Sequence, residues 1–380
     1  MLNPSPVLSD PLVIEAIETT IVDCPTTRAH KLSNTSVSYQ SYVVVRVALS
    51  DGTEGWGEAA TLGGPRWAEE SVEAIKANID TYLAPALIGA EVLSFEANAL
   101  RMRAAATRNS AARAAVEAAM IDAAGHSLSL PAYAFLGGKV RDEVEVLWAL
   151  ASGDADQEID EARDKLQTRQ HRRFKIKLGF HTPARDMARL ARIVEALPGA
   201  VIVVDINQGW SEATAIRYLP ALSEMGVALI EQPLKPGALA ATARVARRSP
   251  IPVMVDEAAF SAAEIVQNGI AGAGSVYSLK LVKSGGLFAL KRAAGVANAF
   301  GMELYGGCLL ESSIGAAAHL AVFATLPELE WGCEHFGPRI LRRDLAATGL
   351  QFSDYKLRIP TGPGMGVRPD MDVLRDVARP

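Results

Sequence analysis

Two lysines stand two residues apart in R-F-K-I-K-L-G, at Lys175 and Lys177, in a stretch otherwise apolar enough to be a buried strand. Burying two ammonium groups side by side is costly unless anions or a reaction require them. Further along, three carboxylates arrive at nearly equal intervals: Asp205 in V-I-V-V-D, Glu231 in A-L-I-E and Asp256 in P-V-M-V-D. Each interval fits one strand-plus-helix unit. If the strands are neighbours about 4.8 Å apart, their terminal carboxylates converge on one point. Three anions in one pocket repel unless a cation neutralises them, and a hard divalent ion, magnesium or manganese, suits oxygen donors. Singly, each acid also reads as an N-cap or loop residue; repetition across three successive units points to a shared metal. Lys280 ends V-Y-S-L-K, and Glu334 lies in L-E-W-G-C-E. Metal and lysines together suit removal of a proton α to a carboxylate, because the resulting enediolate carries two negative charges. A lysine in a cationic, partly desolvated site loses its own proton more easily and can act as a base near neutral pH.

The elements that must position these groups follow from the pattern. Side chains two apart on a strand share a face, so Lys175 and Lys177 point one way while Phe174, Ile176 and Leu178 pack the other way. After Gly138, apolar strands are expected at 144–150, 173–178, 201–205, 228–231, 252–256, 276–280, 302–305 and 329–334, with helical segments between. Eight strands in β/α alternation close a barrel, whose chemistry sits at the carboxyl ends of the strands. Lys280 then comes from the wall opposite Lys175 and Lys177. Before Gly138 the order is strands, then helices. S-Y-V-V-V-R-V-A-L turns at Ser50-Asp51-Gly52 into T-E-G-W-G-E-A as a hairpin. A helical stretch beginning at Ala68 is expected to end before Pro85, and a second has Asn109 as its N-cap. The expected organisation is an α+β domain over 1–138, a barrel over 139–345, and a Gly/Pro-rich segment over 346–380 returning to the first domain.

Composition narrows the class. The chain has 380 residues, 49% hydrophobic and 21% charged, with a net charge of −5, which argues against a nucleic-acid partner. No apolar run approaches the roughly 18 residues of a membrane span, and the N-terminus lacks the pattern of a signal peptide. Three scattered cysteines make neither a disulfide framework nor a zinc site, so a cytoplasmic protein with reduced thiols is expected. The basic run Arg169, His171, Arg172 and Arg173 reads as a solvated face. His335 should face away from Glu334, Cys308 and Cys333 read as packing residues, and Trp56 and Trp210 as core.

The motifs K-I-K, V-V-D-I-N-Q-G-W, L-I-E-Q-P-L, V-D-E-A, S-L-K-L-V-K-S-G-G and W-G-C-E-H-F-G-P resemble the enolase superfamily and, within it, the muconate-lactonizing subgroup. T-R-A-H-K-L, I-K-A-N-I-D-T-Y-L-A-P-A-L-I-G, A-S-G-D and Y-G-G-C-L-L-E-S-S-I-G extend the resemblance over nearly the whole chain. It implies an α/β fold, a modified TIM barrel of (β/α)7β form, capped by an α+β domain built from the N-terminal region and the C-terminal tail. It also implies Asp205, Glu231 and Asp256 as ligands of Mg2+ or Mn2+, and Lys177 and Lys280 as the acid/base pair. Lys175 would support Lys177, Glu334 would lie near the far-wall lysine, and Asn207 and Glu257 would stand behind the ligands. Substrate contacts are implied for His30, Leu62, Arg66, Trp67 and Phe336, chiefly from cap loops at Arg28–Gln40 and Leu62–Trp67, with Arg66 able to meet a distal carboxylate. The implied reaction interconverts cis,cis-muconate and muconolactone through a metal-stabilised enolate, in a homo-oligomer of octameric form. Chloromuconate cyclisation, N-acylamino acid racemisation, dipeptide epimerisation and o-succinylbenzoate synthesis use the same machinery. A catalytically silent binding protein on this fold is the alternative of a different class.

Overall fold

The computed structural model describes residues 11–32, 35–67 and 69–380. The N-terminal decapeptide, Ser33 and Asn34 of the first cap loop, and Ala68 at the expected start of the first helical stretch lie outside the described residues.

The cap begins with an antiparallel sheet of β1 (Ile14–Lys31), β2 (Ser36–Leu49) and β3 (Glu54–Thr61). The expected hairpin joins β2 to β3: Gly52 donates to Leu49 O at 2.9 Å, and Asp51 accepts from the Thr53 amide at 2.9 Å. β1 and β2 extend further than the sequence suggests, so most of Arg28–Gln40 is strand, with His30 opposite Val37. The helix Ser110–Leu128 lies across β3, and small residues let the backbones approach. A Cβ on Gly57 would stand 2.1 Å from Ala115 O.

Two helix-end expectations change. The first helical stretch runs through Pro85 to Leu87, because Ile79–Leu83 widens into a π turn before it. Pro85 then sits in the first turn of the last segment, where a missing amide proton costs little. Asn109 occupies the N-cap position of Ser110–Leu128 but does not cap with its side chain, which accepts from Asn78 Nδ2 at 2.7 Å. Glu70 takes the orphan amides instead, accepting from Ala111 N at 2.9 Å.

The barrel comprises β5 (Trp148–Leu150), β6 (Arg173–Lys177), β7 (Val201–Asp205), β8 (Leu229–Glu231), β9 (Val253–Val255), β10 (Val276–Leu279) and β11 (Glu303–Gly306), parallel and in sequential order. The expected eighth strand is reduced to single bridges: Cys333 pairs with Val146 on one side and Gly306 on the other, closing the ring. The expected first strand divides, and its first part, β4 (Glu143–Glu145), joins β12 (Phe352–Ser353) and β13 (Lys356–Arg358) of the C-terminal segment. That segment reaches the cap, where Ala378 bridges Val22 and Arg379 donates to Asp23 at 2.8 Å. Val203, Leu229, Met254 and Val276, with Leu147 and Tyr305, form a dry inner layer, and Val203 and Leu229 lie two residues before the carboxylates of β7 and β8.

Cap and barrel are tied through the loop after β11. Tyr42 donates to Leu310 O at 2.6 Å, Gln40 Nε2 to Leu309 O at 3.0 Å, and Glu58 accepts from both the amide and the hydroxyl of Ser312. Burial pushes the Glu58 carboxyl up to about 8 from an ordinary 4.5, against the pull of Ser312 and with Glu311 adding to the rise. Its folded pKa lies above its unfolded one, so its contribution to stability is complete below about pH 4.5 and is lost as pH rises through about 8. The protein is therefore expected to lose about 4 kcal/mol of unfolding free energy between pH 5 and pH 8.5, and Glu58→Gln to flatten that slope. Urea titrations across this range check it; parallel profiles would remove Glu58 from the account.

Candidate active site

Strand register brings the charged residues together. Lys177, Asp205 and Glu231 are successive Cα partners across β6, β7 and β8, and Asp256 follows β9. Alternation aims them into the mouth of the barrel, above the apolar layer. Lys177 Nζ lies 2.6 Å from Asp205 Oδ2, Lys280 Nζ 2.5 Å from Asp256 Oδ2, and Lys175 Nζ 2.5 Å from Glu231 Oε2 and 2.6 Å from Glu334 Oε2. All seven side chains are buried.

Sequence reasoning did not assign a role to Lys283, whose Nζ donates to Asp256 Oδ1 and O, both at 3.0 Å. Nor did it find Gln232. Held at φ 33°, Gln232 accepts from the amides of Asp256 and Ala258 at 3.0 and 3.1 Å and donates to Leu234 O at 2.8 Å. The signal was the Q of L-I-E-Q-P-L, one residue after a carboxylate. Tyr305 supports the opposite side: its hydroxyl donates to Glu334 Oε2 at 3.0 Å, and its ring lies 4.6 Å from Lys175 Nζ. Cys308 donates its amide to Glu334 Oε1 at 2.9 Å, while its Sγ accepts from the amide of Leu310. Gly307 packs against the stem of Lys280, where a Cβ would stand 2.6 Å from Cε.

Desolvation opposes each ammonium of the lysines at the mouth. Yet the carboxylates outweigh it, Glu231 and Glu334 at Lys175, Asp205 at Lys177 and Asp256 at Lys280, and all three pKa values lie above the ordinary one. Lys283 alone goes down, because burial and Lys280 together exceed the pull of Asp256. Burial, with Asp205 beside it, raises Glu231 well above its ordinary value. Burial also pushes Glu257 up to about 7, helped by Asp256 and Asp205. Asp256 and Glu334 are held down against burial, the first by Lys280 and Lys283, the second by Lys175. Asn207 donates its backbone amide to Asp205 Oδ1 at 2.8 Å and its Nδ2 to Glu257 Oε1 at 3.4 Å.

The cap residues separate by position. Trp67 stands over Lys280, with its ring centroid 4.3 Å from Nζ, and meets Phe260 at 5.5 Å. His30 is buried, and burial together with Lys177, Arg28 and Lys175 keeps it neutral, well below its ordinary pKa. Leu62 is buried, and Phe336 is buried against Trp148 at 4.7 Å between ring centroids. Arg66 is exposed and donates to Thr35 Oγ1 at 2.9 Å. His335 stacks on His319 at 4.4 Å, and burial keeps it neutral. The basic run is largely spent in ion pairs: Arg172 and Arg173 with Glu145 at 2.6 and 2.8 Å, and Arg169 with Asp354. His171 is buried against Val146 O at 2.9 Å.

A cluster of buried lysines and carboxylates at the carboxyl end of a capped β/α barrel defines an enzyme built for proton transfer. Residues 16–137 match the N-terminal domain of the mandelate racemase / muconate lactonizing enzyme family, and residues 157–373 match the enolase C-terminal domain-like family. The chain belongs to the mandelate racemase / muconate lactonizing enzyme family of the enolase superfamily. It is 43% identical to muconate cycloisomerase 1 of Pseudomonas putida, covering 97% of this chain and 99% of that one. It is 41% identical to the chloromuconate cycloisomerase of Pseudomonas sp. strain P51, over 96% and 99% of the two chains. Its fold superimposes with a TM-score of 0.96 on the muconate lactonizing enzyme of Pseudomonas fluorescens complexed with muconolactone, at 40% identity over 97% of this chain and 100% of the other. Dependence on a divalent metal ion goes with this membership. The donor set fits one, since hard carboxylate oxygens from three adjacent strand ends, Asp205, Glu231 and Asp256, meet at one mouth. Among the described residues, no helix is long and apolar enough to cross a membrane.

The Gln232 bonds make its side chain the brace between β8 and the turn carrying Asp256. Gln232→Ala leaves two buried amide donors and one carbonyl without partners and is expected to cost about 2–3 kcal/mol of unfolding free energy. Chemical denaturation measures it, and a loss below about 0.5 kcal/mol would mean that the turn holds itself.

Proposed function

We propose that this protein is a muconate cycloisomerase, an isomerase interconverting cis,cis-muconate and muconolactone in aromatic catabolism. The observation that carries the reading is the placement of Lys177 and Lys280 on opposite walls, each beside an outer member of the row Asp205, Glu231 and Asp256. Those three carboxylates are the metal ligands of this reading, with Mg2+ or Mn2+ as the ion. A divalent ion bound there supplies positive charge that offsets the charge of the enolate and relieves the lysines of their ion pairs.

The rest is the work of this chain's own groups. In the forward direction one substrate carboxylate adds across the diene, forming a C–O bond, and a lysine delivers the proton to carbon; in reverse it removes the proton α to the carboxylate. Lys177 and Lys280 are positioned to serve the two faces. Lys175, held between Glu231 and Glu334, keeps a positive charge beside Lys177 and the substrate carboxylate. Asn207 and Glu257 fix the surroundings of Asp205. Trp67 closes the mouth over Lys280, excluding water from the proton-transfer path, while His30, Leu62 and Phe336 present neutral surface to the carbon chain.

Chloromuconate is the second reading of the substrate, supported by nearly equal identity to relatives of both names. We also propose assembly as a homo-oligomer, an octamer by family membership. A cytoplasmic location is supported by the three cysteines, all free and buried.

The first test follows the conjugated-diene absorbance of cis,cis-muconate with metal added and with metal chelated. Fast, metal-dependent loss is expected, falling by at least about a hundredfold in Lys177→Ala and Lys280→Ala while both variants stay folded. No loss with metal bound would overturn the substrate, and near-wild-type rates in both variants would overturn the acid/base roles. Glu231→Gln replaces an anionic ligand with a neutral one, so calorimetry should show metal binding at least about tenfold weaker. An unchanged constant would remove Glu231 from the ligand set.

A further inference from the structure

Between cap and barrel an open groove of about 670 Å3 leads toward the carboxylate row. Its inner end carries Glu257 and Lys283, the first adjacent in sequence to Asp256 and the second hydrogen-bonded to it. Trp67, the residue over Lys280, lines it as well. Its outer wall belongs to the cap and presents Arg66, Arg108 and Arg113.

Arg113 is the unusual member. It sits in the first turn of the helix Ser110–Leu128, half-buried, with its guanidinium against the Gly285 turn that follows Lys283. Among the described residues its side chain makes neither an ion pair nor a hydrogen bond, and desolvation with Arg103 nearby holds its pKa below the ordinary value. A guanidinium offers five donors in a planar fork that matches a carboxylate, and leaving them unpaired while partly desolvated is costly. Arg108 is likewise without an ion pair, and it and Asn109 hold consecutive left-handed conformations at φ 61° and 46°. The nearby acids are turned elsewhere: Glu70 and Glu117, which pull on Arg113 electrostatically, accept from the amides of Ala111 and Leu287, Glu264 accepts from the amides of Phe260 and Ser261 at 2.7 and 2.9 Å, Glu257 lies at the inner end, and Glu69 stands at the open rim.

We propose that this groove is a receiving site for a small dicarboxylate, in which Arg108 and Arg113 engage a carboxylate before the molecule moves in to the lysines. The inference deepens the cycloisomerase reading and rests on it for the identity of the dicarboxylate. The fork of Arg113 selects for a second anionic group, so the groove favours dicarboxylates over monocarboxylates of equal length. It also concentrates a dianion at the entrance, an effect that salt screens.

The test compares the metal-loaded wild-type enzyme with Arg108→Gln, Arg113→Gln and the double variant. With muconate, kcat/KM at about 20 mM salt should fall about fivefold or more while kcat stays within about twofold, and the difference should shrink at about 300 mM salt. Inhibition by adipate, the saturated six-carbon dicarboxylate, should weaken by a similar factor, whereas inhibition by hexanoate should not change. Parallel salt dependence together with unchanged adipate inhibition would overturn the proposal. Arg108 is exposed, so Arg108→Gln still decides the matter if Arg113→Gln fails to fold. Should muconate not react at all, calorimetry of adipate binding to wild type and variants judges the groove alone, separately from the substrate reading.

Discussion

Charge buried without water constrains everything at the mouth of this barrel. Four ammonium groups, Lys175, Lys177, Lys280 and Lys283, and five carboxylates, Asp205, Glu231, Asp256, Glu257 and Glu334, are packed there with little exposure. Removing one member of such a set strands its partner, at about 3–5 kcal/mol. All but Glu257, which accepts from Asn207, are held at hydrogen-bond distance from an opposite charge. That explains the investment in fixing backbone: the positive φ at Asn207, Gln208 and Gln232, the Gln232 brace, and Gly307 against the stem of Lys280. The same arithmetic leaves an excess of carboxylate. A proton on Glu231 or Glu257 can balance it, and so can a cation.

The cap answers a different need. The barrel mouth requires a cover that excludes water, yet the cover carries little charge into it. Trp67 comes as an aromatic face over an ammonium, His30 comes neutral, and Leu62 is apolar. The cover is tied to the loop Cys308 to Ser312, gripped by Gln40, Tyr42 and Glu58 from the cap while its first amide holds Glu334 in the barrel, and it also meets the barrel through Arg28 on Ala149 O and Glu117 on the amide of Leu287. Cap placement and the geometry of Lys175 therefore share a mechanical element, and displacement of one is felt by the other.

Local periodicity made much of this legible. That Lys175 and Lys177 share a face is a property of any strand, and the 25- to 26-residue recurrence of carboxylates is a property of any β/α unit. The parts that stayed hidden depend on neighbours distant in sequence. Pro85 stops a helix by local rules, but a π turn ahead of it absorbs the missing amide. Asn109 looks like a cap, but Glu70 comes from another segment to do the work. Gln232 escaped notice because its value lies in one backbone angle and two amides of the next strand's turn. The eighth strand was anticipated as a full one, whereas Cys333 alone suffices to close the ring.

These two regions obey different physics, and that difference bears on how substrate choice can vary. In the barrel, charges are coupled so tightly that a change at one position propagates to its partners, so the proton-transfer apparatus resists piecemeal alteration. In the cap, Leu62, His30 and Trp67 are neutral or aromatic and held by contact, so exchanging one alters shape at a cost of about 1–3 kcal/mol without unbalancing charge. Arg66 and Trp67 occupy this permissive region, at the edge shared with the arginine-lined groove. On the proposed reading, discrimination between a plain and a chlorinated diene, which differ in bulk and not in net charge, falls to the cap, while the requirement for a carboxylate next to the reacting carbon belongs to the barrel.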